Sequence, residues 1–174
     1  WVRSPNTQPF RVSRWDFSLN PGTHHFAVMP WSRTGAPTTG VWSPDVACIS
    51  GSDSGTMGLA LAGAPQAPYY VHAYPPGVAR ELAPGELLGL NAHYHNGYDV
   101  PIQIKVYINL VPELDPPLHT AQTLLDYNDM FSIAVPPFSL GTQFGTYVNP
   151  TAQTQMIYSL TGHMHKRGLR FAAY

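Results

Sequence analysis

The chain has 174 residues, enough for one domain with a sizeable core or one domain and the start of another, and its formal net charge is −1. That balance excludes an electrostatic basis for binding nucleic acid or an anionic membrane. Eighteen Pro, fifteen Gly, ten Tyr and four Trp, with only nine Lys/Arg and ten Asp/Glu, favour short strands joined by turns over long helices. No apolar run reaches the ~20 residues of a spanning helix, and no heptad or solenoid repeat is present. The single cysteine, Cys48, excludes an intrachain disulfide framework and leaves a free buried thiol or a bond to another chain. The chain opens on Trp1 without a signal-like segment, which implies a native N-terminus that is missing or processed.

In chain order, residues 10–17 alternate as a strand and end at the turn Asn20-Pro21-Gly22. Residues 23–29 form a second strand stopped by Pro30. It carries His24 and His25, adjacent residues that an ideal strand points to opposite faces. For the two to share an ion, the backbone must bulge or the rings must use different nitrogens. Residues 30–44 read as loop, 46–49 as a short apolar piece around Cys48, 51–58 as a glycine-rich surface loop and 59–63 as a brief apolar run.

Residues 69–74 are a clearer strand, closed by Pro75-Pro76-Gly77. Residues 78–82, the turn at 83–86 and residues 87–95 have the pattern of a hairpin, followed by the Asn96-Gly97 turn. Residues 100–111 place Ile102, Ile104, Val106, Ile108 and Leu110 on one face and give the most regular strand pattern of the chain. Residues 118–130 read as loop or one to three helical turns. Strand patterns resume at 131–135, 140–148, 154–165 and 170–174, with a turn at Asn149-Pro150. Short strands with turns every ~8–12 residues predict an all-β fold, an antiparallel β-sandwich or jelly roll.

Three histidine clusters punctuate this frame: His24-His25, His93-Tyr94-His95 and His163-Met164-His165. Residues two apart on a strand share a face, so His163 and His165 present two imidazoles side by side. Neutral imidazole donors without cysteine suit copper, zinc or iron, and the scarcity of nearby carboxylates (Asp99 alone lies near a pair) argues against hard, oxygen-seeking ions. Spacing alone does not choose between copper and zinc. His72, inside an apolar strand, reads as a hydrogen-bonded core residue, and His119, after Pro116-Pro117, as an exposed loop residue. Trp1, Trp15, Trp31, Trp42 and the tyrosines fit either core packing or an interface. No Ser/His/Asp order, phosphate-cradling glycine loop or acid pair points to hydrolase chemistry.

The succession Thr23-His24-His25, then Pro75-Pro76-Gly77-Val78 leading to Asn91-Ala92-His93-Tyr94-His95-Asn96, then His163-Met164-His165-Lys166-Arg167-Gly168 resembles the copper type II, ascorbate-dependent monooxygenases, the peptidylglycine α-hydroxylating and dopamine β-monooxygenase family. The resemblance runs from about Asp16 to Tyr174. It implies two consecutive jelly-roll sandwiches, here residues 1–150 and the opening strand or strands of a second, truncated sandwich at 151–174. It further implies up to two copper ions facing each other across a solvent-filled cleft, with ascorbate as electron donor. His24, His25 and His93 would hold the electron-transfer copper. His163 and His165 would be two of the three ligands of the oxygen-activating copper. His95 would not be a ligand. The family's third ligand there is a methionine well downstream of the second histidine pair, a position this sequence does not reach, so the chain is expected to be a fragment or to have lost that half. A single cysteine matches bacterial relatives better than the disulfide-bearing animal members. The implied activity is C–H hydroxylation of a small-molecule or peptide substrate, in an extracellular or periplasmic setting. The alternative expectation is a non-catalytic sandwich subunit or metal-binding module, with a partner chain supplying the missing domain or an assembly interface.

Overall fold

The computed structural model describes residues 2–30, 62, 65–124, 126, 129, 132–162, 164 and 167–174. Cys48, Trp1, Trp31 and Trp42, the loops expected at 31–44 and 51–58 and the apolar piece at 46–49 lie outside the described residues, as does the run at 59–63 except Ala62. The chain divides into two compact units, Trp1–Leu125 and Asp126–Tyr174.

The first unit is all-β among its described residues, with eight strands: β1 Val2–Arg3, β2 Phe10–Leu19, β3 Thr23–Pro30, β4 Tyr69–Ala73, β5 Val78–Leu82, β6 Leu87–Tyr94, β7 Val106–Pro112 and β8 His119–Thr120. They form two sheets. One is β1-β6-β3, antiparallel throughout. The other is built on β2, which pairs antiparallel with β7 along one edge and with β4 and then β5 along the other. β8 adds a short parallel pairing to β5. The core takes Phe26, Val28 and Leu88 from the first sheet and Val12, Trp15, Phe17, Leu19 and Leu82 from the second. Apolar faces of two sheets meeting in one cluster are consistent with a β-sandwich.

The apolar phase of β2 explains its shape. Val12 is buried on an even position, whereas Trp15, Phe17 and Leu19 are buried on odd ones. A bulge between Val12 and Arg14 resets the phase: against β7, Val12 faces Pro112 and Arg14 faces Val111, leaving Ser13 as the extra residue. Ser13 is tied down by its hydroxyl, which donates to the Val111 and Pro112 carbonyls, and by its own carbonyl, which accepts from the Tyr74 N–H.

At Asn20-Pro21-Gly22 the Thr23 N–H donates to the Asn20 carbonyl at 3.3 Å, with Gly22 at φ 95°. Any other residue at Gly22 would be strained, and its Cβ would collide with Ile102 and Ile104. Beyond the end of β2, Asn20 stands in for a neighbouring strand. Its side-chain amide donates to the Gln103 carbonyl and accepts from the Lys105 N–H.

Four expectations are corrected. First, residues 78–95 are not a hairpin, because β5 and β6 belong to different sheets. The edge of β5 is taken by β2 and that of β6 by β1, while Asn6 clamps the crossing through the Leu82 and Ala83 carbonyls and the Gly85 N–H. Second, β7 begins at Val106. Ile102 and Ile104 keep the inward alternation, but the backbone of their neighbours Gln103 and Lys105 bonds the Asn20 side chain instead of a ladder. Third, within 118–130, read as loop or one to three helical turns, His119–Thr120 pair in parallel as β8, while residues 118 and 121–124 take the loop alternative. Fourth, the strands expected beyond residue 131 do not form among the described residues of the second unit. Period-two patterning makes a strand only where a ladder partner and a covered face exist. Here Phe138, Leu140, Phe144, Val148 and Met156 are all exposed. The Asn149-Pro150 turn is present, with Asn149 Oδ1 accepting from the Thr151 N–H and its amide donating to the Gln153 carbonyl.

Replacing Phe17, fully buried at the centre of β2, by Ala is expected to cost about 3–5 kcal/mol in urea unfolding. Deleting Ser13 is expected to leave urea unfolding cooperative, because Val12 and Trp15 then stand two apart and both keep the core face. The loss should be limited to the hydrogen bonds of Ser13 with Val111, Pro112 and Tyr74, about 1–3 kcal/mol.

Candidate metal centre

Where β3 meets β6, Phe26 to Pro30 pair regularly with Ala92 to Leu88. Phe26 and Val28 enter the core, which fixes the register. Toward the start of β3 the regularity breaks: Thr23 faces Tyr94 and His25 faces His93, so two steps on β3 match one on β6. His24 is the extra residue. Such a bulge re-aims the inserted side chain, and here it brings consecutive histidines to one place.

The three rings converge. Centroids lie 5.3 Å apart for His24–His25, 4.8 Å for His24–His93 and 5.1 Å for His25–His93. One nitrogen from each ring lies within 4.8 Å of the other two. His24 Nδ1 and His25 Nδ1 are 3.1 Å apart. Two nitrogens each ~2.0–2.1 Å from one ion stand ~2.9–3.4 Å apart at angles between square and tetrahedral, so this pair already has the spacing of ligands sharing a metal. Two bare lone pairs at that distance repel, and a proton or a cation between them removes the repulsion.

His25 is half-buried while His24 and His93 are exposed. Exposed rings reorient by side-chain rotation on fast timescales, which is the adjustment a shared ion requires. The donor set is three imidazoles with no carboxylate among the described residues of the cluster. It suits copper or zinc and disfavours calcium or magnesium.

The other histidines lie elsewhere. The His95 N–H donates to the Gly22 carbonyl at 2.7 Å, and its exposed side chain is outside the trio. His119 is exposed on β8. His72 is half-buried on β4, facing Tyr74 edge-on at 4.9 Å. His163 and His165 lie outside the described residues.

Sequence reasoning passed over Asn91, two residues before His93. Its Oδ1 lies 3.3 Å from His25 Nε2, across the strand pair from its Cα partner Ala27. The only signal in the sequence was its place on the same strand face as His93.

Burial holds the pKa of His72 below its ordinary 6.5 by disfavouring the charged form. As pH falls through that ordinary value, the unfolded chain takes up a proton that the folded chain refuses. Stability is therefore full above the window, declines within it and rises with pH across it. Between about pH 7.5 and pH 5.5, wild type should lose more stability in urea melts than His72→Gln.

At the trio, the expected outcome of a chelator-competition titration is one tightly held copper or zinc. His24→Ala, His25→Ala and His93→Ala should each weaken it more than about tenfold, while His95→Ala leaves it unchanged.

Comparisons with protein-family models, with curated proteins and with solved structures find no match for this chain. The functional argument therefore rests on the side chains themselves.

Proposed function

We propose that the chain is the first copper domain of an ascorbate-dependent, C–H-hydroxylating monooxygenase, a bacterial-type relative of the peptidylglycine and dopamine monooxygenases. The observation that carries this reading is the bulge-assembled trio of His24, His25 and His93, drawn from two of the three segments that carry the family resemblance. In this reading the two sheets are a jelly roll, His163 and His165 contribute to a second copper site, and the protein works outside the cytoplasm on a small-molecule or peptide substrate. Copper bound by the trio would supply one-electron redox chemistry, accepting electrons from ascorbate and passing them on.

The chain's own residues do the rest. The trio offers neutral nitrogen donors, a set that tolerates both copper oxidation states with little rearrangement. The exposed edges of His24 and His93 leave the centre open to a soluble reductant. Among the described residues no helix is long and apolar enough to cross a membrane.

A second reading, a non-catalytic metal-binding module, is favoured by one observation: the trio lies wholly within the first unit. Copper analysis and electron paramagnetic resonance separate the two. The monooxygenase reading expects a nitrogen-ligated Cu(II) signal that ascorbate bleaches and that His93→Ala removes. It also expects a second equivalent of copper lost in His163→Ala and ascorbate-driven oxygen uptake. One copper, insensitive to ascorbate and without oxygen uptake, would leave the module reading. No copper at the trio would overturn both.

A further inference from the structure

We infer that Asn91 is a positioning residue for the metal centre, fixing the tautomer of His25 so that Nδ1 is its ligand atom. The inference rests on the trio being a metal site. It goes beyond that reading by saying which nitrogen binds and what holds it there.

An imidazole has two nitrogens, and a neutral ring can offer only the one without a proton. Which one is bare depends on the hydrogen bond made by the other. At His25 that bond runs to Asn91: Oδ1 is an acceptor and lies 3.3 Å from Nε2, so Nε2 carries the hydrogen and donates it. Nδ1 is then bare, and Nδ1 is the atom 3.1 Å from His24 Nδ1. The nitrogen facing the trio and the nitrogen left bare by Asn91 are thus the same atom.

The strand register makes this arrangement specific. Ala27 is the Cα partner of Asn91, and His25 is the partner of His93. Asn91 therefore reaches His25 diagonally on the face that carries His93. Ala27 is too small to obstruct that reach. Asn91 and His25 are also the more shielded members of the group, half-buried where His24 and His93 are exposed. The centre consequently has one ligand held in place and two that adjust to it. At position 91, facing His25, an acceptor is needed and shape alone does not suffice. Leucine matches the volume but cannot accept a hydrogen bond, whereas aspartate keeps the acceptor.

The test uses the full chain, with two readouts. In the metal-free protein, ¹⁵N chemical shifts report the tautomer of each histidine. The expected result is His25 with its proton on Nε2 in wild type and in Asn91→Asp, and a tautomer mixture in Asn91→Leu. Competition with a Cu(I) chelator should then show Asn91→Leu weakened by about 10- to 100-fold and Asn91→Asp equal to wild type or tighter. Asn91→Ala serves the same purpose if the leucine variant does not fold. A proton on Nδ1 of His25 in wild type would overturn the inference, as would Asn91→Leu or Asn91→Ala binding copper like wild type. Wild type that binds no metal would instead overturn the metal reading of the trio. The tautomer measurement would still decide whether Asn91 orients His25.

Discussion

The register of β3 on β6 is the constraint on which the site depends. A strand has a side-chain period of two, so a slip of one residue would carry His25 and His93 to opposite faces. Phe26 and Val28 prevent that slip, because any other register withdraws them from the core they share with Trp15 and Phe17. Apolar packing on one face of β3 thus sets the geometry of imidazoles on the other. Bulges work the same way in both sheets. Ser13 resets the apolar phase of β2, and His24 adds an imidazole where an unbroken strand would have turned one away.

The histidine trio has a graded construction. His25 is half-buried and hydrogen-bonded to Asn91, while His24 and His93 stand in solvent. A centre built entirely of buried ligands would resist the small changes in geometry that accompany a change of oxidation state or of ligand. One built entirely of exposed side chains would lose rotamer entropy at every ligand on binding. A single anchored ring with two mobile ones lies between these limits. The absence of a carboxylate from the cluster leaves the charge of a divalent ion uncompensated by its described ligands, which favours the lower charge of Cu(I) over a dication.

Much of the first unit was legible in the sequence, and the reason is local. β2, β3, β4, β5 and β6 each combine alternating apolar residues with a Pro, Gly or Asn at a boundary, and those signals act within a few residues. The need for a bulge at His24-His25 was also readable, since two neighbours cannot otherwise share a face. What could not be read was pairing. Alternation says which side chains point together but not which strand lies alongside. For that reason residues 78–95 resembled a hairpin although β2 and β1 hold the two edges in question. The same limit hid Asn91, whose role exists only once Ala27 stands opposite it. Beyond residue 131 the alternation was as good, yet exposed residues such as Phe138 and Leu140 find no covering layer among the described residues.

The crossing at 83–86 is one of several. The chain changes sheets between β1 and β2, β2 and β3, β3 and β4, β5 and β6, and again between β6 and β7. Among the described strands none pairs with its immediate successor, and most contacts join residues far apart in sequence. Topologies of this kind fold slowly, because loop closure must precede the contacts that reward it. His24 and His25 are adjacent from the moment of synthesis, but His93 joins them only after the β3–β6 pairing has closed. A two-histidine site in the nascent chain is a poor competitor for scarce metal, and the three-histidine site comes into being with the fold. Any metal capture by the trio would in this way be timed by folding itself.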